Sequence, residues 1–425
     1  MREVKIAILG LGTVGSGIYR VIEKEKKRIE HKEGISFTVA KVLAKAYSIP
    51  IPDEIKAKDI DEIVNDPEIK IVAEVIGGVT PAKDFIIKCL SAGKTVVSAN
   101  KELIAKHWPE LEKAAKAAGS GFYYEASVGG AIPIIKAIWD SLQSNTITGV
   151  YGIINGTTNY ILSKMADEGR DFADVLKEAQ ELGYAEANPS ADVDGFDSMY
   201  KLSILGSLAF HARVPVEYIY REGITNITQE DIKVGRELGY EVKLLAIGKR
   251  EGNAIEMRVH PTMIPLSHPL ASIKGSFNSI YINGSAVGEM MFYGRGAGDL
   301  PTANALVSDM IYSLNVSKHK YSTFANEYEM SSEIIIENNW ITKYFIRINV
   351  ADKSGVLAKI ATILGENDVS IESVLQRGKG KDCVPLILVT HKAHEAGIRK
   401  AIAQIEELEE VHDVASCIRV EEDEE

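Results

Sequence analysis

A glycine-rich turn close to the start of the chain restricts its fold more than any other feature. The apolar run VKIAIL at 4–9 is followed directly by GLGTVG at 10–15 and then by helix-like periodicity. Gly10 and Gly12 would allow a tight turn and close approach of a pyrophosphate, and Gly15 would let the helix pack on the strand. The first amides of the helix would bind the phosphate. This context favours a dinucleotide site over the alternative, a tight strand-to-helix turn without a ligand.

Strand-like and helix-like segments continue to alternate as far as residue 130. Strand candidates at 37–44 and 69–76 are followed by a helical stretch at 82–93 and by another strand candidate at 95–99. Apolar strands separated by helices predict a parallel sheet that is covered on both faces. We therefore expect an α/β protein whose Rossmann-like nucleotide-binding domain comprises 1–130 together with 295–316.

The end of the second predicted strand bears on the choice of cofactor. NAD-selective sites usually place an acidic residue there, to bind the ribose 2′-hydroxyl. This chain has Lys45 and no acid in VLAKA. A cation would suit the 2′-phosphate of NADP, so Lys45 favours NADP over NAD. The alternative is an ordinary solvated lysine.

The middle of the chain, 131–294, predicts an α+β domain with one open sheet. Its helical candidates are 131–144 and two or three segments between 158 and 211, and its extended candidates are 147–155, 240–250, 254–264 and 279–294. A further helix is expected at 300–314. The polar stretch 317–340 reads as a linker.

The C-terminal part, 341–421, predicts a separate unit. Its segments follow the order strand, helix, strand, strand, helix, strand, which is typical of a βαββαβ ferredoxin-like domain. Because every candidate catalytic residue precedes it, we expect that removing 341–425 leaves an active enzyme.

Composition excludes several classes of function. The chain has 425 residues, a net charge of −12 and no block of basic residues, which argues against nucleic-acid binding. No uninterrupted apolar run is long enough to span a membrane, and the N-terminus lacks a signal-peptide core. The three cysteines form no CxxC pair or disulfide framework, so we expect a reducing, cytoplasmic location.

Acidic residues and a lysine are concentrated in the segment LGYAEANPSADVDGFDSMYK at 182–201, here called the acidic loop. Asp197 and Lys201 are four residues apart, so they share one face of a predicted helix. The alternative is a solvated loop in which Asp197 caps the helix N-terminus. The residues alone leave both interpretations open.

Two further segments place polar groups beside predicted strand ends. SANK at 98–101 ends a strand of the parallel sheet, which would place Lys101 facing the ligand crevice. Taken alone, this segment fits the alternative better, an exposed lysine at the start of a helix. In YEASVGG at 124–130, Glu125 lies near carbonyls that the glycines free, a donor set that suits a hard cation. The alternative is a plain glycine turn.

Taken together, these segments resemble the homoserine dehydrogenase family over nearly the whole chain. The segments that carry the resemblance are GYAEANPSADVDGFDSMYK, SANKELIA, EASVGGAIPII, INGTTNYIL (154–162) and GRGAGDLPTANALVSD (294–309). The resemblance implies a dehydrogenase that interconverts L-homoserine and L-aspartate 4-semialdehyde with NADP or NAD, in threonine and methionine biosynthesis. One departure is Asn188, where many relatives carry an acidic residue.

The same resemblance implies a role for individual residues. Lys201 would donate the proton, with Lys101 between substrate and nicotinamide, and Glu186, Asp192 and Asp197 would bind the substrate. The cofactor would be held by Gly10, Gly12, Thr13, Val14, Gly15, Lys45, Lys101 and Gly298. A sodium ion would be bound by Glu125 and by the carbonyls of Val128, Gly130 and Ile132.

The C-terminal unit resembles an ACT domain. NVADKSGVLAKI at 349–360 matches the first strand-to-helix turn of such domains, and ENDVSIESV at 366–374 matches the second strand. The resemblance implies an amino-acid effector, with L-threonine expected, bound near Asp352, Gly355 and Val356. We expect a homodimer or homotetramer, with 131–294 as the substrate-binding and dimerisation domain. The alternative is a dimerisation module without a ligand.

Two other classes of protein remain in competition. A semialdehyde dehydrogenase would need a reactive thiol near the nicotinamide, and Cys89 is the candidate in the first domain, although it lies in an apolar helical run. A non-catalytic sensor of amino acids or dinucleotides would keep the same domains. The intact lysines and carboxylates argue against that sensor.

Overall fold

A computed structural model describes residues 1–322, 324, 334–376 and 383–422. Part of the predicted linker, 323 and 325–333, therefore lies outside the described residues. Within them, no helix is both long and apolar enough to cross a membrane.

The first part of the chain forms a five-stranded parallel sheet in the order β2-β1-β3-β4-β5. The strands are β1 (Arg2–Leu11), β2 (Ile35–Tyr47), β3 (Ile69–Glu74), β4 (Thr95–Ser98) and β5 (Phe122–Tyr123). The helices are α1 (Thr13–Glu33), α2 (Asp61–Val64), α3 (Ala82–Ser91) and α4 (Lys101–Ala118), with 3-10 turns at Asp53–Ile55 and Glu125–Ser127. The predicted α/β class is confirmed. The strand order reverses between β1 and β3, where a ligand crevice is expected.

A second, twelve-stranded sheet runs through the rest of the molecule. Its catalytic part contains β6 (Ile147–Ile153), β7 (Tyr220–Arg221), β8 (Tyr240–Glu251), β9 (Ala254–Pro265), β10 (Phe277–Gly284) and β11 (Gly288–Arg295). The associated helices are α5 (Ile134–Lys136), α6 (Gly156–Glu168), α7 (Phe172–Glu181), α8 (Ser190–Val193), α9 (Phe196–Phe210), α10 (Gln229–Glu237) and α11 (Asp299–Asn315), with 3-10 turns at Val216–Tyr218 and Pro269–Ser272.

The ACT domain contributes its strands to this second sheet. β12 (Ile335–Glu337), in the predicted linker, pairs with β9. The main elements of the domain are β13 (Ile341–Val350), α12 (Val356–Glu366), β14 (Ile371–Gln376), β15 (Val384–Thr390), α13 (Glu395–Glu406) and β17 (Val411–Val420), and the two-residue strand β16 (Ala393–His394) adds to the edge of β13. The predicted βαββαβ order is therefore present. The parallel pairing of β17 with β9 joins the two domains into one sheet, which the sequence did not indicate.

Two local predictions differ from the structure. The helix predicted at 131–144 is helical only at Ile134–Lys136 and then continues as a π-helical turn, in which the amide of Leu142 donates to the carbonyl of Ala137. The extended segment at 279–294 is a hairpin of two strands, because Gly284 and Gly288 pair at its turn. Gly288, the first residue of β11, has φ +67°, a turn conformation that glycine adopts readily.

The chain returns to the first sheet near its centre. Ala303, Leu306 and Met310 of α11 belong to the same buried cluster as Ile18 and Ile22 of α1. These contacts place α11 against the nucleotide-binding sheet. The exact domain limits remain a prediction.

Helix α9 lies in the interior and decides where two of the candidate residues lie. It is apolar on nearly all sides, and thirteen of its residues are buried. It packs on α4 from the first sheet and on β6, β8 and β9 of the second. Its first turns therefore carry Asp197 and Lys201 to the junction between the two sheets.

Candidate active site

The glycine turn has the geometry that its sequence predicts. Gly10 has φ +98°, and a Cβ there would lie 2.7 Å from the carbonyl oxygen of Val75. A Cβ on Gly15 would overlap the carbonyl of Gly10, so only glycine lets α1 pack this closely on β1. Gly12 and Thr13 are exposed at the start of α1. The first amides of α1 are thus open to a phosphate group.

Lys45 lies beside this turn. Leu9 pairs with Leu43 and Leu11 pairs with Tyr47, so the end of β2 flanks the glycines. The Lys45 side chain is exposed. No carboxylate of the described residues forms an ion pair with it, which leaves its charge available to a ligand.

Three candidate residues meet at the junction of the two sheets. Lys201 Nζ lies 2.6 Å from Asp197 Oδ2 and donates to the carbonyl of Ile154 at 2.8 Å. Lys101 Nζ lies 3.1 Å from Asp197 Oδ1. Asp197 does not cap α9, because Gly195 occupies the N-cap position. The carboxylate of Asp197 instead bridges two lysines that are 100 residues apart in sequence.

Exposure distinguishes the two lysines. The Lys101 side chain is 42% exposed, whereas that of Lys201 is 10% exposed. Lys101 begins α4, the helix that follows β4, at the carboxyl edge of the parallel sheet. Lys101 therefore reaches Asp197 from the nucleotide-binding sheet, and Lys201 reaches it from the interior.

Asn155 is a site residue that the sequence reasoning missed. Its Nδ2 donates to Asp192 Oδ1 at 2.7 Å and to Asp197 Oδ2 at 2.9 Å. Its Oδ1 caps α6 by accepting from the amide of Thr158 at 2.8 Å. An asparagine directly before GTTN is a helix-start signal that could have identified it.

Charge within this cluster is set by proximity. Burial opposes ionisation of Asp197, but the charges of Lys201 and Lys101 outweigh it and lower the pKa of this carboxyl well below its ordinary value. Asp197 in turn raises the pKa of Lys101. Burial raises the pKa of Asp192, against the effect of the Asn155 hydrogen bond. The cluster therefore holds an ionised Asp197 between cationic groups at neutral pH.

Two residues of the acidic loop form described hydrogen bonds only within their own loop and the helix before it. Glu186 is exposed, and only its backbone carbonyl takes part in a described hydrogen bond, from Gln180 at 3.1 Å. Asn188 accepts from the amide of Ser190 at 3.3 Å, which organises the turn before α8. No hydrogen bond or ion pair among the described residues joins the Glu186 side chain to Asp192 or Asp197.

A second buried network, also missed from the sequence, supports Lys101. Glu74, fully buried at the end of β3, accepts from the Ser98 hydroxyl at 2.7 Å and from the amide of Ile76 at 2.9 Å. Ser98 Oγ accepts from the amide of Asn100 at 3.1 Å, and Asn100 caps α4. This chain of bonds fixes the turn from which Lys101 projects.

The glycine segment after Glu125 partly fits a cation. The Glu125 side chain accepts from the amides of Ile135 and Lys136, each at 2.8 Å, and burial, together with the charge of Asp309, raises its pKa to about 7. Within the described residues the carbonyls of Val128 and Gly130 accept no hydrogen bond, whereas that of Ile132 accepts from Ile134 at 2.8 Å. No group of three or more His, Cys, Asp or Glu side chains in the described ranges could hold a metal. Any cation here would depend on backbone carbonyls.

The remaining predicted positions lie at helix starts. Gly298, with φ +122°, precedes α11, and the neighbouring Asp299 forms an ion pair with Arg20 of α1 at 2.6 Å. Gly355, with φ +93°, precedes α12. Asp352 is exposed in that turn and Val356 is buried.

Cys89 does not suit nucleophilic catalysis. It is fully buried in α3, and burial raises the pKa of its thiol to about 12. A thiol that is neither accessible nor ionised cannot attack a carbonyl carbon. The cysteine-dependent alternative therefore finds no support at this position.

Comparison with known families agrees with this architecture. The model for the NAD-binding domain of homoserine dehydrogenase matches residues 10–125, and the homoserine dehydrogenase model matches residues 133–311. An ACT domain model matches residues 344–410. The predicted ACT domain is thereby confirmed.

Relatives of known identity match over the full length. The chain is 40% identical to a homoserine dehydrogenase of Bacillus subtilis and 41% identical to one of Synechocystis, covering 98–99% of this chain and 99% of each relative. A crystal structure of a homoserine dehydrogenase from Thiobacillus denitrificans is 39% identical, with a TM-score of 0.92 and 99% of each chain covered. The chain therefore belongs to the homoserine dehydrogenase family.

Proposed function

We propose that this chain catalyses the NAD(P)-dependent interconversion of L-homoserine and L-aspartate 4-semialdehyde. The observation that carries the proposal is the Lys101–Asp197–Lys201 cluster at the carboxyl edge of the nucleotide-binding sheet. Membership of the family supplies the reaction class. The family places this reaction in threonine and methionine biosynthesis.

Proton transfer is assigned to Lys201 in this proposal. The bound nicotinamide supplies or accepts the hydride, and the protein positions the two reactants. Lys201 is fixed by Asp197 and by the carbonyl of Ile154. Its ammonium group would protonate the developing alkoxide in reduction, and its neutral amine would take the proton from the hydroxyl in oxidation. Lys101, which is more exposed, would stabilise charge between substrate and nicotinamide.

Substrate binding is assigned to the carboxylates around Asn155. Asp192 and Asp197 lie on either side of its amide and would attract the substrate ammonium and hydroxyl. Glu186, in the exposed acidic loop, would complete the site. Its assignment to substrate binding follows from the family alone.

NADP is the proposed preferred cofactor. The support is Lys45, exposed beside the glycine turn where an NAD-selective site would carry an acid. A structure described as a hyperthermophilic archaeal homoserine dehydrogenase in complex with NADPH is 26% identical, with a TM-score of 0.64 and 75% of this chain covered. That ligand belongs to the archaeal protein and supports the proposal only by analogy.

A sodium ion is proposed at Glu125 and the carbonyls of Val128, Gly130 and Ile132. The two carbonyls that accept no hydrogen bond and the buried carboxylate provide oxygen ligands of the type that hard cations prefer. Here the ion would brace the connection between the two sheets. It takes no part in the proton transfer.

Regulation by an amino acid is proposed for the ACT domain. The turn at Asp352, Gly355 and Val356 leads into α12, and its amides would bind the carboxylate of L-threonine, the pathway end product. We further propose a cytoplasmic homodimer or homotetramer.

Steady-state kinetics test the core of this proposal. Homoserine oxidation is followed by nicotinamide absorbance with NADP and with NAD, each with and without threonine and with sodium or a bulky organic cation. We expect turnover of homoserine, a higher kcat/KM with NADP and inhibition by threonine. Absence of turnover with both cofactors would favour the non-catalytic sensor.

A further inference from the structure

Residues 220–224, here called the coupling segment, lie between the ACT domain and the acidic loop. Tyr220 and Arg221 form β7, and the amide of Glu222 continues the pairing by donating to the carbonyl of Val259 at 2.8 Å. On the ACT side, Arg419 of β17 forms an ion pair with Glu222 and donates to the Tyr220 hydroxyl at 3.0 Å. The segment is thus held directly by the last strand of the ACT domain.

Arg419 is itself fixed to the ACT domain. Its guanidinium lies 2.5 Å from Glu395 at the start of α13, and the residue is only 5% exposed. One arm of the guanidinium is therefore held by Glu395 and another reaches Glu222. Any shift of β17 relative to β9 would be carried to Glu222, because a buried, bidentate arginine has little freedom to adjust.

The other side of the coupling segment contacts the acidic loop through its backbone. The amide of Ile224 donates to the carbonyl of Val193 at 2.8 Å, and the guanidinium of Arg221 donates to the carbonyl of Asp194. A Cβ on Gly223 would overlap the Val193 carbonyl, so the two backbones touch. Val193 ends α8, the short helix that carries Asp192.

We propose that Arg419 is a positioning residue for the substrate site, acting through Glu222 and residues 223–224 on α8 and so on Asp192. This rests on the proposed role of Asp192 and Asp197 in homoserine binding. The path has few steps: Arg419 holds Glu222, the neighbouring backbone holds Val193, and Asp192 accepts from Asn155 at 2.7 Å. The substrate site is therefore fully ordered only when the ACT domain is docked.

A second ion pair between the domains provides a matched control. Arg347 of β13 lies 2.8 Å from Asp231 of α10, and Asp231 also accepts from Ser416 and from Thr228. Among the described contacts, none of these side chains touches α8. Glu222→Gln and Asp231→Asn each replace a carboxylate that faces an ACT arginine by an isosteric amide. Only the first lies on the proposed path.

The experiment compares the two full-length variants with wild type. Glu222→Gln should raise the KM for homoserine by about 2- to 30-fold, the range for mutations along a coupling network, with the Kd for NADPH unchanged. Asp231→Asn should lower Tm without changing the KM for homoserine. Equal effects of the two variants on KM, or no effect of Glu222→Gln on KM, would overturn the proposal.

Hydrogen exchange gives a readout that does not depend on turnover. Glu222→Gln should speed exchange of the Ile224 amide, which bonds to Val193, and Asp231→Asn should not. If wild type does not turn over homoserine, the proposed function fails, and this exchange alone decides the positioning role. Unchanged exchange at Ile224 in Glu222→Gln would refute that role even in an active enzyme.

Discussion

Asp197 is the residue around which the site is organised. Its carboxylate meets Lys201 from its own helix and Lys101 from the nucleotide-binding sheet. A carboxylate with a pKa this far depressed stays ionised across the working range, so the protons that move belong to other groups. Loss of either lysine would leave a buried charge only partly compensated.

Lys201→Ala tests the proton donor. We expect kcat to fall by about 10²–10⁴, the usual cost of a missing general acid, while the Kd for NADPH, measured by fluorescence, stays close to wild type. Lys164→Ala serves as control, because it removes a lysine from an exposed pair with Glu168 on α6. Retention of wild-type turnover by Lys201→Ala would assign proton transfer to Lys101.

Lys45→Glu tests the cofactor preference. In the proposed complex, Lys45 forms an exposed ion pair with the 2′-phosphate of NADPH, and glutamate would repel that phosphate instead. The Kd for NADPH should therefore rise by about 2- to 30-fold, with a smaller change for NADH. Lys26→Glu, on the exposed part of α1, is the control for net charge. Equal changes for both cofactors would place Lys45 away from the 2′-phosphate.

At the scale of elements, the site depends on helix starts that converge. Lys101 begins α4, Asp197 lies in the first turn of α9, and Asn155 caps α6. α4 belongs to the nucleotide-binding sheet, whereas α6 and α9 belong to the second sheet. Their first turns meet because α4 packs on α9. The positions of these elements along the chain were largely predictable, since their apolar periodicity is strong. Their meeting point was not.

Substitutions of Asn155 separate its two roles. Asn155→Ala removes the cap of α6 and should lower the free energy of unfolding by about 0.5–2 kcal/mol. Asn155→Ser keeps a capping oxygen but loses the amide that donates to Asp192 and Asp197, so it should be nearly as stable as wild type. Both variants should lose kcat/KM for homoserine. Wild-type kinetics in Asn155→Ser would show that the amide only supports the helix.

For the whole molecule, the main finding is that the catalytic and ACT parts share a sheet. Besides the β17–β9 pairing, Asp231 and Arg347 form a buried ion pair across the interface, and the fully buried Arg258 forms one with Glu421. The sequence suggested a separable ACT unit whose removal leaves an active enzyme. The structure adds that removal exposes a strand edge and leaves Asp231 without its arginine, so the truncated enzyme should be less stable.

Truncation tests this dependence. Deletion of 341–425 should lower Tm, because it removes the β17–β9 pairing and the buried Arg347–Asp231 ion pair, and should raise the KM for homoserine. Asp231→Asn should then lower Tm by much less in the truncated chain than in the full-length chain, because Asp231 has no arginine left to lose. Equal losses of Tm in both backgrounds, or a truncated enzyme with wild-type Tm and KM, would show that the ACT domain is independent.

The sequence by itself determined the classes of the elements, the glycine turn, the ACT domain and the family, because these follow from local periodicity, backbone freedom and long motifs. It also singled out Lys101, Asp197 and Lys201. Only the tertiary structure decided which of them touch, that Asn155 and Glu74 hold the site, and that β17 pairs with β9. Contacts between residues distant in sequence depend on how helices and sheets pack, and the apolar pattern of one segment does not specify the partner that covers it.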